Sequence, residues 1–469
     1  RWSNNSTSGS GGQSDYYINP SDSNDDDVKG MVLTKRGISF GTESGASILL
    51  NDQRDTNGSV AFITSSFNSG YMHGDIKGAF LSDTDDTDVT GSELVTNGTF
   101  DSNVNNWTTH SNWGTLSHSS GRLRITNANN QNGFAKQEIT VVSGQNYIIR
   151  ADLYKGTNSQ VSMQVNSVGG SQSNSTGGVT TDGTYFFQFT PDTNTIVLNM
   201  GQGLTGNGKY TEIDNVSVRI AEDDRSVKNK GLQVFGTVAK SAVATGAELV
   251  SYNSLTSVNY LEQPYNSDLD FGTGDFCMMG WFYNLGLSSS ILYRLHNSTS
   301  VGIGYIVALS SGGELGYSSY TQGFSSSGRI THYSSDSWNG LAWWNMFVCG
   351  KKGGNGFTYI NGILKQTGTN ANSHTDTTYN PPLRIGNNHA GNGGLGGGRL
   401  ALIRISAGFP SDEQIKKIYN DEKCLFHKNA KCALHGTSDA VTGLAFDDTN
   451  DVLHVGTSSG RSEFQGLNR

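Results

Sequence analysis

The sequence predicts an all-β protein in which β-sandwich modules interrupt a framework of short β-repeats. Composition is the first reason. The 469 residues include 61 Gly and only 6 Pro. Ser, Thr and Asn are abundant and helix formers scarce, as in short strands joined by tight turns. Period-two patterning is the second, in stretches such as "YIIRADLY" (147–154) and "VSMQVN" (161–166). The third is a repeated signature: "IKGAFLSDTDD" (76–86) returns as "VTGLAFDDTND" (441–451). Gly78, Asp83, Thr84 and Asp86 match Gly443, Asp448, Thr449 and Asp451 without a gap. A strand and acidic turn repeated so far apart imply insertion of other modules between the copies.

Length and charge set the bounds. A chain this long holds roughly three or four domains. Lys and Arg total 32 against 41 Asp and Glu, a net charge of −9, which argues against a nucleic-acid binder. No apolar run of about 18 residues is present, so no membrane span is expected. The chain begins with Arg1 and ends in what reads as a hairpin, as expected of a window onto a longer polypeptide. Four cysteines, Cys277, Cys349, Cys424 and Cys432, are no disulfide framework and leave the redox compartment open.

The elements follow in order. Residues 1–27 are polar and of low complexity, a linker or arm. Residues 28–91 carry short strand patterns and the first signature copy. Residues 92–220 form a run of alternating strands closing with "YTEIDNVSVRI". The acidic stretches "SDTDDTD" (82–88) and "AEDDRSVKNKG" (221–231) read as two halves of one loop split by that module. Residues 232–423 form a second strand-rich module ending in "PSDEQIKKIYNDEK", the one convincing helix. Ser411 is its N-cap in a nearly complete capping box, and Ile415, Ile418 and Tyr419 share a face. Residues 424–469 return to the repeat framework.

Residues 92–220 resemble a carbohydrate-binding jelly roll of the kind appended to xylanases and cellulases. The resemblance is carried by Asn97-Gly98-Thr99-Phe100-Asp101, Trp107 and Ile213-Asp214-Asn215-Val216. It implies a structural Ca²⁺ held by Asp101 and Asp214, hard oxygen ligands suited to that ion. Alternation places Tyr147, Ile149, Ala151 and Leu153 on one face, with Arg150, Asp152 and Tyr154 on the other. Val161, Met163 and Val165 likewise face inward, and Gln164 and Asn166 outward. Amides, an Arg and aromatic rings suit sugars, whose hydroxyls need paired donors and acceptors and whose C–H faces stack on rings. Trp113, Arg150, Tyr154 and Gln164 are therefore the candidate ligand-binding residues; an ordinary solvated sheet face is the plainer alternative. Trp107 has the spacing of the family's core Trp, which leaves Trp113 for stacking.

Residues 232–423 resemble a concanavalin A-like, laminin-G-type lectin sandwich through "GDFCMMGWFY" with Trp281, the Asn361-Gly362 turn in "FTYINGILKQ", and "LRIGNN". An Asn-Gly pair suits a type I′ hairpin, which needs positive φ at both positions. One departure is that Ala401 and Leu402 stand where the family often has an acidic pair, which puts that ligand site in doubt. Asp268, Asp270 and Asp275 offer cation ligands, or simply a turn. The flanking repeats resemble β-propeller blades, of which at least four are needed; the rest would come from missing chain or neighbouring subunits. The arrangement as a whole is similar to structural or tail-associated proteins of marine bacteriophages, on phrases such as "ATGAELVSYN" and "AVTGLAFDDTNDVLHVGTSSG".

Catalytic patterns do not hold up. Glu212-Ile213-Asp214 lacks the third acid of the lectin-fold glycosidase strand, Ser217 standing in its place. G-x-S-x-G occurs at Gly37–Gly41 and Gly456–Gly460 without the following helix that a nucleophile elbow needs. Cys424, His427, Cys432 and His435 have ligand types suited to Zn²⁺, and Cys424–Cys432 could pair as a disulfide; inward-pointing residues at a helix end explain them equally well. No catalytic activity is expected. The resemblances imply a homo-oligomeric virion tail, fibre or decoration protein that binds host-surface glycans and other virion subunits. The alternatives are a binding region of a secreted bacterial carbohydrate-active enzyme or adhesin, and a purely architectural virion protein.

Overall fold

The computed structural model describes residues 75–465 except 81–84, 110–112, 202–205, 225, 227, 297–302, 322–328, 373–379, 389–393, 429, 431–440, 448 and 451. It adds five short strands upstream: β1 (Ser3–Asn4), β2 (Tyr16–Tyr17), β3 (Ile38–Ser39), β4 (Ala46–Leu50) and β5 (Val60–Ile63). β1 pairs β2, and β3-β4-β5 is a small antiparallel sheet. The linker expected over 1–27, the first G-x-S-x-G and the Cys432/His435 part of the zinc or disulfide pattern lie outside the described residues. Among the described residues the protein is all-β apart from α1 (Asp412–Glu422) and two single 3₁₀ turns.

Two short strands, β6 (Asp75–Phe80) and β7 (Val89–Gly91), lead into the first sandwich. Its strands are β8 (Thr108–Thr109), β9 (Gly114–Ser119), β10 (Arg122–Asn127), β11 (Phe134–Thr140), β12 (Tyr147–Tyr154), β13 (Ser162–Ser167), β14 (Ser173–Ser175), β15 (Gly183–Phe189), β16 (Thr195–Gly201) and β17 (Tyr210–Glu222). One sheet runs β14-β13-β16-β11-β8 and the other β9-β10-β17-β12-β15, every pair antiparallel. Ile149, Ala151, Leu153, Met163 and Val165 fill the core between them, as period-two patterning requires. Trp107 is buried there against Phe100, ring centroids 5.5 Å apart. The opening and closing motifs clamp together: Val216 N donates to Gly98 O at 2.9 Å and Trp107 Nε1 to Asn97 O at 3.1 Å. A Cβ at Gly98 would lie 2.1 Å from Val216 O, so only glycine admits that contact.

The second sandwich comprises β18 (Leu232–Ala242), β19 (Val250–Asn253), β20 (Tyr260–Gln263), β21 (Phe276–Tyr283), β22 (Ser290–Arg294), β23 (Gly304–Leu309), β24 (Glu314–Tyr320), β25 (Arg329–Ser337), β26 (Asn345–Lys352), β27 (Asn355–Ile360), β28 (Ile363–Thr369), β29 (Leu383–Ile385) and β30 (Arg399–Ala407). One sheet runs β28-β27-β26-β21-β30, and the other β18-β20-β29-β22-β23-β24-β25. Pairings through β17–β18, β18–β7 and β30–β6 link most strands into one nearly closed ladder, yet the two sandwiches keep separate cores. Asn361 and Gly362 have φ of 52° and 77°, the positive pair that the hairpin demands. Ala401 and Leu402 are buried under α1 beside a bulge, Leu402 at φ 52°, so no acidic site forms there.

The helix forms as its residues dictate. Ser411 Oγ accepts from Gln414 N at 3.2 Å, and the Gln414 side chain closes the box on Ser411 N at 2.7 Å. Ile415 and Ile418 are buried against β21 and β26 residues, and Tyr419 stacks on Trp281. Glu422 ends the helix inside the protein, where Trp281 Nε1 and Arg404 Nη2 each donate to its Oε2 at 2.7 Å.

The repeat framework differs from expectation. β6, the first signature copy, pairs with β30 of the second sandwich through Ile403↔Phe80 and Ile405↔Gly78. The second copy forms β31 (Val441–Asp447) and β32 (Val452–Thr457), which with β33 (Gly460–Gln465) make a separate three-stranded sheet. The two copies therefore do not lie in one framework; a strand's local pattern leaves its partner to whichever sheet edge is open. The acidic halves do converge. Lys240 bridges them, its Nζ 3.6 Å from Asp85 Oδ2 and 3.8 Å from Glu222 Oε1. Asp268 is taken up by Lys228 and Lys230, and Asp270 by Arg294, so these acids serve a turn.

Arg404 has a wholly buried side chain and Glu422 is 6% exposed, so removing one charge strands the other. Glu422→Gln should cost about 3–5 kcal/mol in denaturant unfolding. Unchanged stability would show that the pair does not hold α1.

Candidate functional site

The outer face of β9-β10-β17-β12-β15 gathers the polar side chains that the core rejects. On β10, Leu123 and Ile125 point inward, leaving Arg122 and Arg124 outward. Glu212 of β17 stands opposite Arg124 and receives its Nε at 3.0 Å and Nη2 at 2.7 Å, with Arg122 Nη1 at 3.4 Å. The two guanidinium groups also stack on rings, Arg122 over Tyr154 at 3.6 Å and Arg124 over Tyr210 at 4.0 Å. Such stacking fixes both planes. Burial, with the Asp152 charge behind it, raises the Tyr154 phenol above its usual pKa.

An acidic corner lies beside this array. Asp152 and Asp214 are direct cross-strand partners on β12 and β17. Asp152 is well supplied with donors: Thr184 Oγ1 at 2.6 Å, Asn215 Nδ2 at 2.8 Å and Arg150 Nη2 at 3.3 Å. Asp214 accepts Asn215 N at 2.8 Å. Its pKa is raised, first by burial and then by the Asp152 and Asp101 charges, against a lowering contribution from Arg122. Phe186 of β15 pairs with Arg150 and brings an aromatic ring to the same face.

The six sequence-predicted residues are not all brought together. Arg150 and Tyr154 lie on this face. Gln164 does not: β13 belongs to the other sheet, where Gln164 opposes Asn199 and Ser175. The outward faces of two packed sheets point apart, so a site combining Arg150 with Gln164 does not form. Trp113 sits at the margin, just before β9, 36% exposed, its carbonyl accepting Ala128 N. Asp101 accepts Thr99 Oγ1 at 2.8 Å, and its charge reaches Asp214. Among the described residues no three His, Cys, Asp or Glu side chains gather where one ion could be shared. The charges of Asp101 and Asp152 both act on Asp214, but the three do not form such a group. Arg122, Arg124 and Phe186 were not singled out from sequence, although "RLRIT" carries the alternation that exposes both arginines.

No protein-family profile and no curated protein matches the chain. Solved structures similar to parts of it include the binding domain of Paraclostridial Mosquitocidal Protein 1, at 17% identity over 42% of this chain and 49% of that one, TM-score 0.33. The chain thus spans about half the length of that domain. Domain 4 of AbnA, a GH43 extracellular arabinanase from Geobacillus stearothermophilus in complex with arabinotriose, aligns at 17% identity over 39% of this chain and 82% of that one, TM-score 0.31. A CBM4 structure aligns at 17% identity over 27% and 99%, TM-score 0.23.

The raised Asp214 pKa gives a signed expectation. Its contribution to stability is complete below the unfolded carboxyl value of about 3.9 and is lost as pH rises through the higher folded value. With chelator present at pH 7, Asp214→Asn should therefore melt higher than wild type, and the gap should close on acidification. Ca²⁺ that raises the wild-type melting temperature but not the variant's would place an ion at Asp214. Equal responses to Ca²⁺ would remove it.

Proposed function

We propose that the chain is a non-catalytic glycan-binding protein whose first sandwich reads sugars on the outer face of β9-β10-β17-β12-β15. The observation that carries this reading is the joining of fixed donors and acceptors to aromatic rings on one sheet face. Arg122 and Arg124 are held in plane by Glu212 and two tyrosines, with Asp152, Asp214 and Phe186 alongside. Sugar hydroxyls ask for such paired donors and acceptors, and their C–H faces for a ring.

Absence of catalysis is part of the proposal. Asp152 and Asp214 stand side by side on neighbouring strands of one sheet. Glycoside hydrolysis needs two carboxyls flanking the scissile bond, one of them protonated over it. Glu212 is tied to two arginines and is committed to structure. The setting we propose is a virion tail or surface-decoration protein, presented in several copies so that weak sites add through avidity. A Ca²⁺ held near Asp101 and Asp214 would brace the corner. What favours a virion over a secreted bacterial protein is the resemblance of module order and sequence phrasing to marine phage structural proteins.

The test is a glycan array on wild type, Phe186→Ala, Tyr154→Ala and Gln164→Ala, with bound glycans recovered and sized. The first two should lose about 1 kcal/mol of stacking, roughly fivefold in affinity, while Gln164→Ala on the opposite sheet stays at wild-type affinity. Cleaved glycan would contradict the non-catalytic reading. No binding by wild type, or equal loss at Gln164, would overturn the assignment of the face.

A further inference from the structure

The polar face does not stop at its edge strand. Among the described residues β15 pairs only with β12, and beyond it a cleft of about 650 Å³ opens between the two sandwiches. That volume lies within the roughly 300–1,000 Å³ of small-molecule sites. One wall is β15 itself, with Thr184 and Phe186; the floor is Asn229 of the joint; the far wall is Tyr265, Asn266 and Ser267 of the second sandwich. Thr184 bonds Asp152 and Phe186 pairs with Arg150, so face and cleft share side chains.

We propose that the cleft is the second half of one composite groove, so that a neutral oligosaccharide lying on the first sandwich continues over β15 and touches the second. The inference rests on the glycan reading of the outer face and adds to it a ligand class, a minimum length and a role for the second sandwich.

Charge selects the class. The lysines on the wall are matched within the protein, Lys228 and Lys230 lying 3.1 and 2.5 Å from Asp268. These two lysines share one carboxylate, and Asp182 on the opposite side supplies the second negative charge, so the formal charges at the cleft sum to zero. A cleft without net charge favours neither an anionic nor a cationic ligand, whereas hydroxyls meet amides and rings. The walls are also held in place before any ligand arrives. Gln188 Nε2 donates to Asn229 O at 2.6 Å and to its Oδ1 at 2.9 Å. Asn266 Nδ2 donates to Gln263 Oε1 at 3.1 Å and to Pro264 O at 3.3 Å, and its Oδ1 accepts Lys230 Nζ at 3.3 Å. Tyr265 is oriented by its hydroxyl, which donates to Asp270 at 2.7 Å. Preorganised walls reduce the ordering cost of binding a flexible chain.

The experiment uses the full chain and immobilised neutral xylo-, cello- and arabino-oligosaccharides of two to six residues, with uronate-containing oligosaccharides of the same lengths as the charged arm. Affinity should rise with length for a neutral series. Tyr265→Ala and the cleft-filling Ser267→Trp should each lower hexasaccharide affinity about tenfold and leave the disaccharide within about twofold. The two variants fail differently if one misfolds, and unchanged melting temperature qualifies each. Length-independent binding, or hexasaccharide binding untouched by both variants, overturns the composite groove while leaving the outer face as a site. Preference for the uronate series overturns the neutral class. No binding of any glycan by wild type overturns both readings together.

Discussion

The junction around Asp224 sets the positions of everything else. Its carboxylate is buried yet receives Ala79 N, Ser226 N, Ser226 Oγ and Lys230 N, all between 2.8 and 3.1 Å. Burial pushes its pKa up, and these donors push it part of the way back. Through Ala79 the carboxylate holds β6, which extends the sheet of the second sandwich; through 226–230 it shapes the turn between β17 and β18. One acidic side chain thus ties β6 to a turn some 145 residues further along the chain.

β17 carries that constraint from one module to the next. Its 13 residues begin beside β10 and β12 and end with Ala221 and Glu222 paired to Gln233 and Leu232. Ile220, near the crossing, packs against both hydrophobic cores. A linker of a few free residues would let two sandwiches swing, since inter-domain contacts are ordinarily modest. A shared ladder removes that freedom, and with it the entropy that a cleft between mobile walls would lose on binding. The same register that places Asp214 opposite Asp152 therefore also fixes the distance from β15 to Tyr265.

Much of this was readable from sequence where a local rule has one outcome. Period-two alternation separated Ile149 and Leu153 from Arg150 and Tyr154; the Asn361-Gly362 turn followed from φ; the capping box at Ser411 followed from spacing. The rules failed where local pattern is blind to partners. Alternation says that Gln164 and Arg150 both face outward, yet β12 and β13 join different sheets, and outward then means opposite directions. The signature shared by β6 and β31 specifies a strand and a turn, and the open edge of β30 decided where the first copy went. Glu212 was visible but weighed only as a catalytic acid, because its partners Arg122 and Arg124 lie some 90 residues upstream and meet it only across the β10–β17 ladder.

The acidic corner places two carboxylates directly opposite each other on neighbouring strands. Cross-strand like charges cost stability, and a fold free to choose would place a Thr or Lys opposite Asp152. Asp152 has its charge balanced by Arg150, Thr184 and Asn215, whereas Asp214 has burial and two neighbouring carboxylates working against its ionisation. Local inconsistencies of this kind concentrate at functional sites, where the compensating group arrives from outside. Sugar hydroxyls donating to Asp214, or a Ca²⁺ beside it, would each add to the positive potential that Arg122 and Asn215 N only partly supply. On the proposed reading, either group would offset a cost that the unliganded protein carries at Asp214, on the same sheet face as Tyr154 and Phe186.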